Sequence, residues 1–106
     1  MIKISVYYPN ADGKTFDVTY YRDKHMPMVQ RLLGPLGLRG LGIEKGLSGG
    51  APGAPAMYLC VGHLLFDTVE AYQAAFKRHG KELMADVPNY TNATPQVQVG
   101  EVVLQS

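Results

Sequence analysis

The chain is poor in several features, and each shortage excludes a class of protein. It has a single cysteine, Cys60, so it cannot form an internal disulfide, which is typical of proteins in a reducing cytoplasm. No apolar run approaches the ~18 residues that cross a membrane. Segment 2–8 alternates apolar and polar residues instead of forming the apolar block of a signal peptide. We therefore expect a cytoplasmic protein with no membrane partner.

Charge is also scarce, and it is not concentrated anywhere. Charged residues make up 18% of the chain, against about 25% in an average soluble domain. The ten Lys and Arg residues are scattered and the formal net charge is +1, which argues against nucleic acid as a partner. Hydrophobic residues make up 46%. We expect part of this apolar surface to be covered by a second copy in a homodimer.

Metal and cofactor signals are missing as well. The histidines, His25, His63 and His79, are far apart, and no pair has the spacing of metal ligands. There is no dinucleotide-binding glycine pattern and no Walker motif. Segment 48–55, Ser-Gly-Gly-Ala-Pro-Gly-Ala-Pro, precedes no helix start and is interpreted as a surface loop. We expect no metal and no tightly bound cofactor.

The patterns that are present predict one α+β domain over residues 1–106. Alternating or apolar segments predict strands, and amphipathic segments predict two helices. The predicted strands are 2–8, 38–47, 56–66 and 95–104, and the helices are 18–33 and a second one that follows Asp67. This βαββαβ order is that of a ferredoxin-like fold with a four-stranded antiparallel sheet. Both helices would cover one face of the sheet, so the other face needs a second copy, as in a dimeric α/β barrel.

Local signals locate both helix starts. Asp17 is predicted to cap the first helix, with Phe16 and Tyr21 at the positions of a hydrophobic staple. Pro27 lies inside this helix, removes one backbone donor and should bend or split it near His25. Asp67 and Glu70 form a capping-box pattern at the second helix. Gly80 is expected to weaken that helix and to allow a break.

His25 is the first candidate for chemistry. On a helix it shares a mostly apolar face with Tyr21, Val29 and Leu32, so it should point inward. Burial lowers the pKa of a histidine, which can then act as a neutral base near pH 7. The alternative is a core histidine that hydrogen-bonds a carbonyl or a tyrosine, and position alone favours this alternative.

The segment from Asp86 to Tyr90 and the abundant tyrosines supply further candidates. Asp86 can orient a histidine and Tyr90 can donate a hydrogen bond to an oxyanion, although turn formation explains the same residues. There are seven tyrosines but only three phenylalanines and no tryptophan. Tyrosine offers an apolar wall with a polar tip, which suits a pocket for a small hydrophobic ligand. The expected ligand contacts are Tyr7, Tyr21, Tyr58 and Met28.

Two motifs resemble those of the EthD family, named for a protein of ethyl tert-butyl ether degradation. Segment 16–29 has the family's aromatic pair, then a histidine, then a proline two residues later. Segments 86–92 and 95–102 resemble its closing part. The resemblance implies a dimeric α/β barrel, with His25 where the family's histidine stands. The family is loosely grouped with ether-degrading oxidoreductase systems, and similar barrels include cofactor-free monooxygenases, muconolactone isomerases and polyketide cyclases.

These observations lead to one functional hypothesis and one alternative. The hypothesis is an EthD-like, cofactor-independent enzyme or accessory enzyme that acts on a small hydrophobic carbonyl or phenolic compound. His25 would be the acid or base, with Asp86 and Tyr90 in catalytic roles. The alternative is a non-catalytic dimeric module that binds a small molecule or a protein partner. Such a module would keep its ligand affinity when His25 is replaced.

Overall fold

A computed structural model describes all residues from 1 to 106. The strands are β1 (Ile2–Pro9), β2 (Gly40–Lys45), β3 (Tyr58–Phe66) and β4 (Gln96–Glu101). The α-helices are α1 (Val18–Tyr20), α2 (Met26–Leu33) and α3 (Val69–Ala85); a π-helical turn (Tyr21–His25) joins α1 to α2. Two 3-10 turns follow α2 and α3, at Gly34–Leu36 and Val87–Asn89. The predicted βαββαβ order is confirmed.

The four strands form one antiparallel sheet in the order β2-β3-β1-β4. Strand β1 lies inside the sheet, where Ile4 pairs with Leu64 of β3 and with Val99 of β4. The predicted alternation in β1 is confirmed, because Ile2 and Ile4 are buried and Val6 packs against the core, whereas Lys3 and Ser5 between them are only half-buried. Since side chains in a strand point alternately to opposite faces, this pattern separates a covered face from a free face.

Both long helices lie on the covered face, and the hydrophobic core lies between them and the sheet. Because α2 and α3 also contact each other, they form a single layer. The side chains with almost no exposure are Ile4, Tyr21, Leu33, Cys60 and Phe66. None of the helices has the length and apolarity needed to cross a membrane.

The predicted start of the first helix is confirmed in detail. The Tyr20 amide donates to Asp17 Oδ1 at 3.0 Å, so Asp17 is the N-cap. The rings of Phe16 and Tyr21 are in edge contact at 5.1 Å, which is the predicted staple. The turn Tyr21–His25 is π-helical, and it ends two residues before Pro27. The predicted disruption near His25 is therefore a change in hydrogen bonding within a continuous helical run.

Two predictions about α3 are wrong. Its N-cap is Thr68, whose side chain accepts from the Ala71 amide at 3.1 Å, whereas Asp67 forms an ion pair with Arg39 at 2.7 Å. Gly80 does not break the helix, because α3 runs without interruption to Ala85. Gly80 is buried beside Phe76, so tertiary packing outweighs the low helix propensity of glycine. Strands β2 and β4 are also shorter than predicted.

Candidate functional site

The π-helical turn aligns the side chains of Tyr21 and His25. The Met26 amide donates to the Tyr21 carbonyl five residues back, so this turn is wider than an α-helical turn. The two rings stack at 5.4 Å with an interplanar angle of 19°. π-Helical turns are rare and are often found at functional sites. The wider turn thus directs the side chain of His25 toward the covered face of the sheet, and the residue is only 6% exposed.

His25 is paired with a carboxylate. Its Nδ1 lies 2.8 Å from Asp86 Oδ2. An ionised carboxylate only accepts hydrogen bonds, so Nδ1 carries the proton of the neutral ring. The other ring nitrogen, Nε2, is then the basic one, and no group of the chain donates to it. This arrangement gives a fixed tautomer with one free basic nitrogen.

Asp86 is itself held by other donors. Its Oδ1 accepts from the Tyr20 hydroxyl at 2.8 Å and from Asn89 Nδ2 at 2.9 Å. Burial alone would raise the pKa of Asp86, but hydrogen bonds from Asn89, His25 and Tyr20 outweigh it and lower this pKa. Asp86 is the C-cap of α3, so the end of one helix supplies the partner for a histidine of the other. The carboxylate therefore stays ionised beside the imidazole at neutral pH.

A cluster of tyrosines forms the polar end of the site. The hydroxyls of Tyr8 and Tyr90 lie 2.7 Å apart. The ring of Tyr90 also contacts Tyr21 and His25, with centroids 4.8 Å away in both cases. Burial raises the pKa of Tyr8, Tyr21 and Tyr90. All three hydroxyls therefore remain protonated at neutral pH and can donate hydrogen bonds.

These groups border a cavity of about 60 Å³ between the helices and the covered face. Its wall is otherwise mainly apolar: Ile4, Val6, Met26, Val29, Gly62, Leu64, Tyr72, Phe76, Leu83, Met84, Val87 and Val97. Met84 and Val97 are 50% and 53% exposed, so the cavity opens to solvent between the end of α3 and β4. A small apolar body with one polar atom matches this lining.

The cavity is lined by three of the predicted site residues: Tyr21, His25 and Tyr90. Asp86 does not line it but is hydrogen-bonded to His25 Nδ1. Tyr7 and Tyr58 do not line it; their rings contact each other at 4.9 Å. Met28 is outside the lining too. The sequence interpretation missed Tyr8 and Met26. Tyr8 follows Ile4 and Val6 at intervals of two residues along β1, so the alternation of the strand predicts that it lies on the same, covered face.

The other His–carboxylate contact, His79 Nδ1 to Glu82 Oε1 at 2.6 Å, lies on α3 and does not border the cavity. No group of three or more His, Cys, Asp or Glu side chains is placed to hold a metal ion. Burial raises the pKa of Cys60 to about 11, so its thiol stays protonated at neutral pH. The His25–Asp86 pair with its tyrosines is therefore the candidate functional site.

Comparisons with known proteins place the chain in a family. The family model described as the EthD domain matches residues 11–94. An EthD-like protein from Ralstonia eutropha JMP134 has 41% sequence identity and a TM-score of 0.93, with 99% of this chain and 94% of that chain covered. No curated protein matches the chain.

Two more distant structures share the fold. One is an ethyl tert-butyl ether degradation (EthD) family protein from Bacillus halodurans C-125, with 21% identity, a TM-score of 0.63, and coverage of 95% of this chain and 97% of that one. The other is described as a dimeric ferredoxin-like protein from an uncultured marine organism, with 14% identity, a TM-score of 0.58, and coverage of 100% and 98%. On the family match and the 41% identity, the chain belongs to the EthD family.

Proposed function

We propose that this EthD family member is a cofactor-independent enzyme that moves a proton on a small hydrophobic carbonyl or phenolic compound. The observation that carries the proposal is the 2.8 Å contact between His25 Nδ1 and Asp86 Oδ2 at the wall of an apolar cavity. In the neutral ring this contact assigns the proton to Nδ1, so Nε2 is the nitrogen with a lone pair, and no group of the chain bonds to it. A buried, oriented imidazole of this kind is suited to general acid–base catalysis.

The proposed step needs only groups of the chain. His25 Nε2 takes a proton from a carbon next to a carbonyl, and the electron pair of that C–H bond moves into the enolate. Asp86 stabilises the imidazolium that forms. The hydroxyl of Tyr90 or of Tyr8 donates a hydrogen bond to the enolate oxygen. If the carbonyl compound is β,γ-unsaturated, the enolate is conjugated, and return of the proton from His25 to the γ-carbon gives the α,β-unsaturated isomer. With a phenol the same base would take the hydroxyl proton.

The wider role is proposed from a relative. The family protein from Bacillus halodurans carries the name ethyl tert-butyl ether degradation, and we place the present activity in a degradation or oxidoreductase system of that kind. A carbonyl or phenolic compound is a common product of oxidative cleavage. The apolar lining of the cavity supports a substrate with little polarity beyond one oxygen.

The test is the exchange of carbon-bound protons in heavy water. Small ketones and lactones are incubated with wild type, His25→Asn and His63→Asn, and loss of the signals of protons next to the carbonyl is followed by NMR. We expect His25→Asn to slow exchange by about 10²- to 10⁴-fold, the usual contribution of a general base. His63→Asn is the matched control, since His63 does not line the cavity. Equal rates in wild type and His25→Asn would contradict the proposal.

A binding module remains the competing function, because an apolar cavity also suits sequestration. Fluorine NMR with 4-fluorophenol measures affinity without turnover. Unchanged affinity in His25→Asn, together with no exchange by wild type on any ketone, would favour the binding module over the enzyme.

We also propose that the protein is a homodimer built through the free face of its sheet. This face is partly apolar, because it carries Tyr7, Tyr58, Val61 and Leu65. Neither long helix covers it, since both lie on the other face. On the free face, Nδ1 of His63 is buried and has no hydrogen-bond partner, which is costly unless another group supplies one. Light scattering should give twice the chain mass of 11.6 kDa. Val61→Glu should shift the mass toward the monomer, and a monomeric wild type at micromolar concentration would contradict the proposal.

A further inference from the structure

Gly62 is an unexpected residue for its position. It lies in the middle of β3 and pairs with Val6 of β1 and Ile43 of β2, where a β-branched side chain is usual. Glycine inside a strand contributes no packing and weakens the strand. Its backbone does not require glycine either, because the residues with positive φ are Gly13, Gly37 and Gly53. The remaining reason for a strand glycine is the close approach of another group.

The group that approaches Gly62 is the hydroxyl of Tyr21. A methyl group built on Gly62 would overlap this hydroxyl and would lie 3.1 Å from Met26 Cε. Tyr21 and Met26 both line the cavity. The space above the Gly62 Cα atom is therefore occupied by a tyrosine hydroxyl of the candidate site, and any larger residue would displace it.

Tyr21 connects this space to the histidine. Its ring stacks on that of His25 at 5.4 Å and 19°, and it also contacts Tyr90 at 4.8 Å. We propose that Gly62 is a positioning residue of the acid–base site. The absence of a side chain lets the Tyr21 hydroxyl reach the sheet, and the Tyr21 ring then fixes the plane of the His25 imidazole at the cavity. The inference rests on the proposed function of His25.

The experiment compares four variants: Gly62→Ala, Tyr21→Phe, the double variant Gly62→Ala/Tyr21→Phe, and Gly100→Ala. Gly100 is a matched control, because it also lies in a strand of the sheet and an added methyl would meet nothing closer than Lys3 O at 3.9 Å. The first readout is the NMR signal of the His25 imidazole and its titration with pH, which need no substrate. The second is the rate of proton exchange in the ketones used above.

We expect Gly62→Ala to shift the His25 signals and to slow exchange by about 10- to 100-fold, as a small misplacement of a catalytic group does. The double variant should return the His25 signals toward those of Tyr21→Phe, because it removes the atom that the added methyl would overlap. Gly100→Ala should leave every readout as in wild type.

Unchanged His25 signals in Gly62→Ala would overturn the inference, as would a folded double variant whose His25 signals stay shifted from those of Tyr21→Phe. If Gly62→Ala does not fold, the double variant decides in the same way. Failure of the proposed function would give a different result, because neither wild type nor any variant would catalyse proton exchange. The NMR signals of the His25 imidazole would still show whether Gly62 positions His25.

Discussion

The two faces of the sheet share leucine and tyrosine residues, but these residues have different environments on each face. In β3, Leu64 on the covered face is buried, and its neighbour Leu65 on the free face is half-exposed. In β1, Tyr8 is buried and its hydroxyl is hydrogen-bonded to that of Tyr90, whereas Tyr7 is half-buried and its ring contacts that of Tyr58 on the free face. Residue type alone therefore does not assign a leucine or a tyrosine to a face. The helix layer does, because it excludes water from one side of the sheet.

The same contrast separates two histidines. Nδ1 of His25 is bonded to Asp86, whereas Nδ1 of His63 is buried without a partner. Burial and the nearby Lys3 lower the pKa of His63, so it is neutral at pH 7. His25 is the candidate base because a carboxylate fixes its tautomer and its ring borders a cavity. Only the covered face supplies both.

The largest expected difference between the faces is in packing. Leu64→Ala removes a buried side chain from the cavity wall and should lower the free energy of unfolding by about 2–5 kcal/mol. Leu65→Ala should cost clearly less, because Leu65 is half-exposed. Urea titration of both variants checks this. Equal costs would mean that the free face is as well covered as the other, and a concentration-dependent cost for Leu65→Ala would point to the dimer.

The next effect is the pH dependence carried by Asp86. The pKa of Asp86 is lower in the folded protein than in the unfolded chain, so its ionised form stabilises the fold. That stabilisation is complete above the unfolded pKa of about 4 and is lost as the pH falls through the folded value. Asp86→Asn should therefore be destabilising at pH 7, and the difference from wild type should shrink at pH 3. Urea titrations between pH 7 and pH 3 measure it.

Asp67 provides the control for this prediction. Hydrogen bonding to Arg39 lowers the pKa of Asp67 too, but its side chain is 54% exposed. An exposed ion pair contributes little and is screened by salt. Asp67→Asn should thus have a small effect that disappears at high salt, whereas the Asp86 effect should persist. A stability difference for Asp86→Asn that stays constant from pH 7 to pH 3 would contradict the linkage.

The smallest effect compares two adjacent tyrosines. Tyr8→Phe removes the hydroxyl that lies 2.7 Å from that of Tyr90 and should cost about 1 kcal/mol. Tyr7→Phe removes a hydroxyl that makes no hydrogen bond within the chain, so we expect a change within about 0.5 kcal/mol. Thermal unfolding of the two variants side by side measures the difference. A costlier Tyr7→Phe would show that the free face holds a polar contact, as an interface would supply.

Sequence reasoning succeeded where the signal is local. The cap at Asp17 and the staple of Phe16 with Tyr21 depend on residues within one helical turn, and both are confirmed. It failed at the start of α3, where Asp67 and Thr68 are both capable caps. The choice depends on Arg39, which is distant in sequence and takes Asp67 into an ion pair. Gly80 was misjudged for the same reason, since its packing against the core is not a local property.

The candidate site was only partly predictable. His25 and Tyr21 share a helix face, so their proximity follows from spacing. The 2.8 Å contact with Asp86 joins residues that are 61 positions apart, and only the packing of α2 against α3 brings them together. Tyr8 was overlooked in favour of Tyr7 and Tyr58, because a count of tyrosines carries no information about which face each one occupies.

By itself the sequence determined the order of strands and helices, the separation of the two faces and the first helix cap, because all of these follow from short-range periodicity and hydrogen bonding. The tertiary structure decided which polar groups meet. It brought His25 to Asp86, Tyr8 to Tyr90, and the Tyr21 hydroxyl into the space that a side chain at position 62 would fill. Burial and long-range contacts, which set the protonation state and orientation of these groups, exist only once the two helices have packed against one face of the sheet.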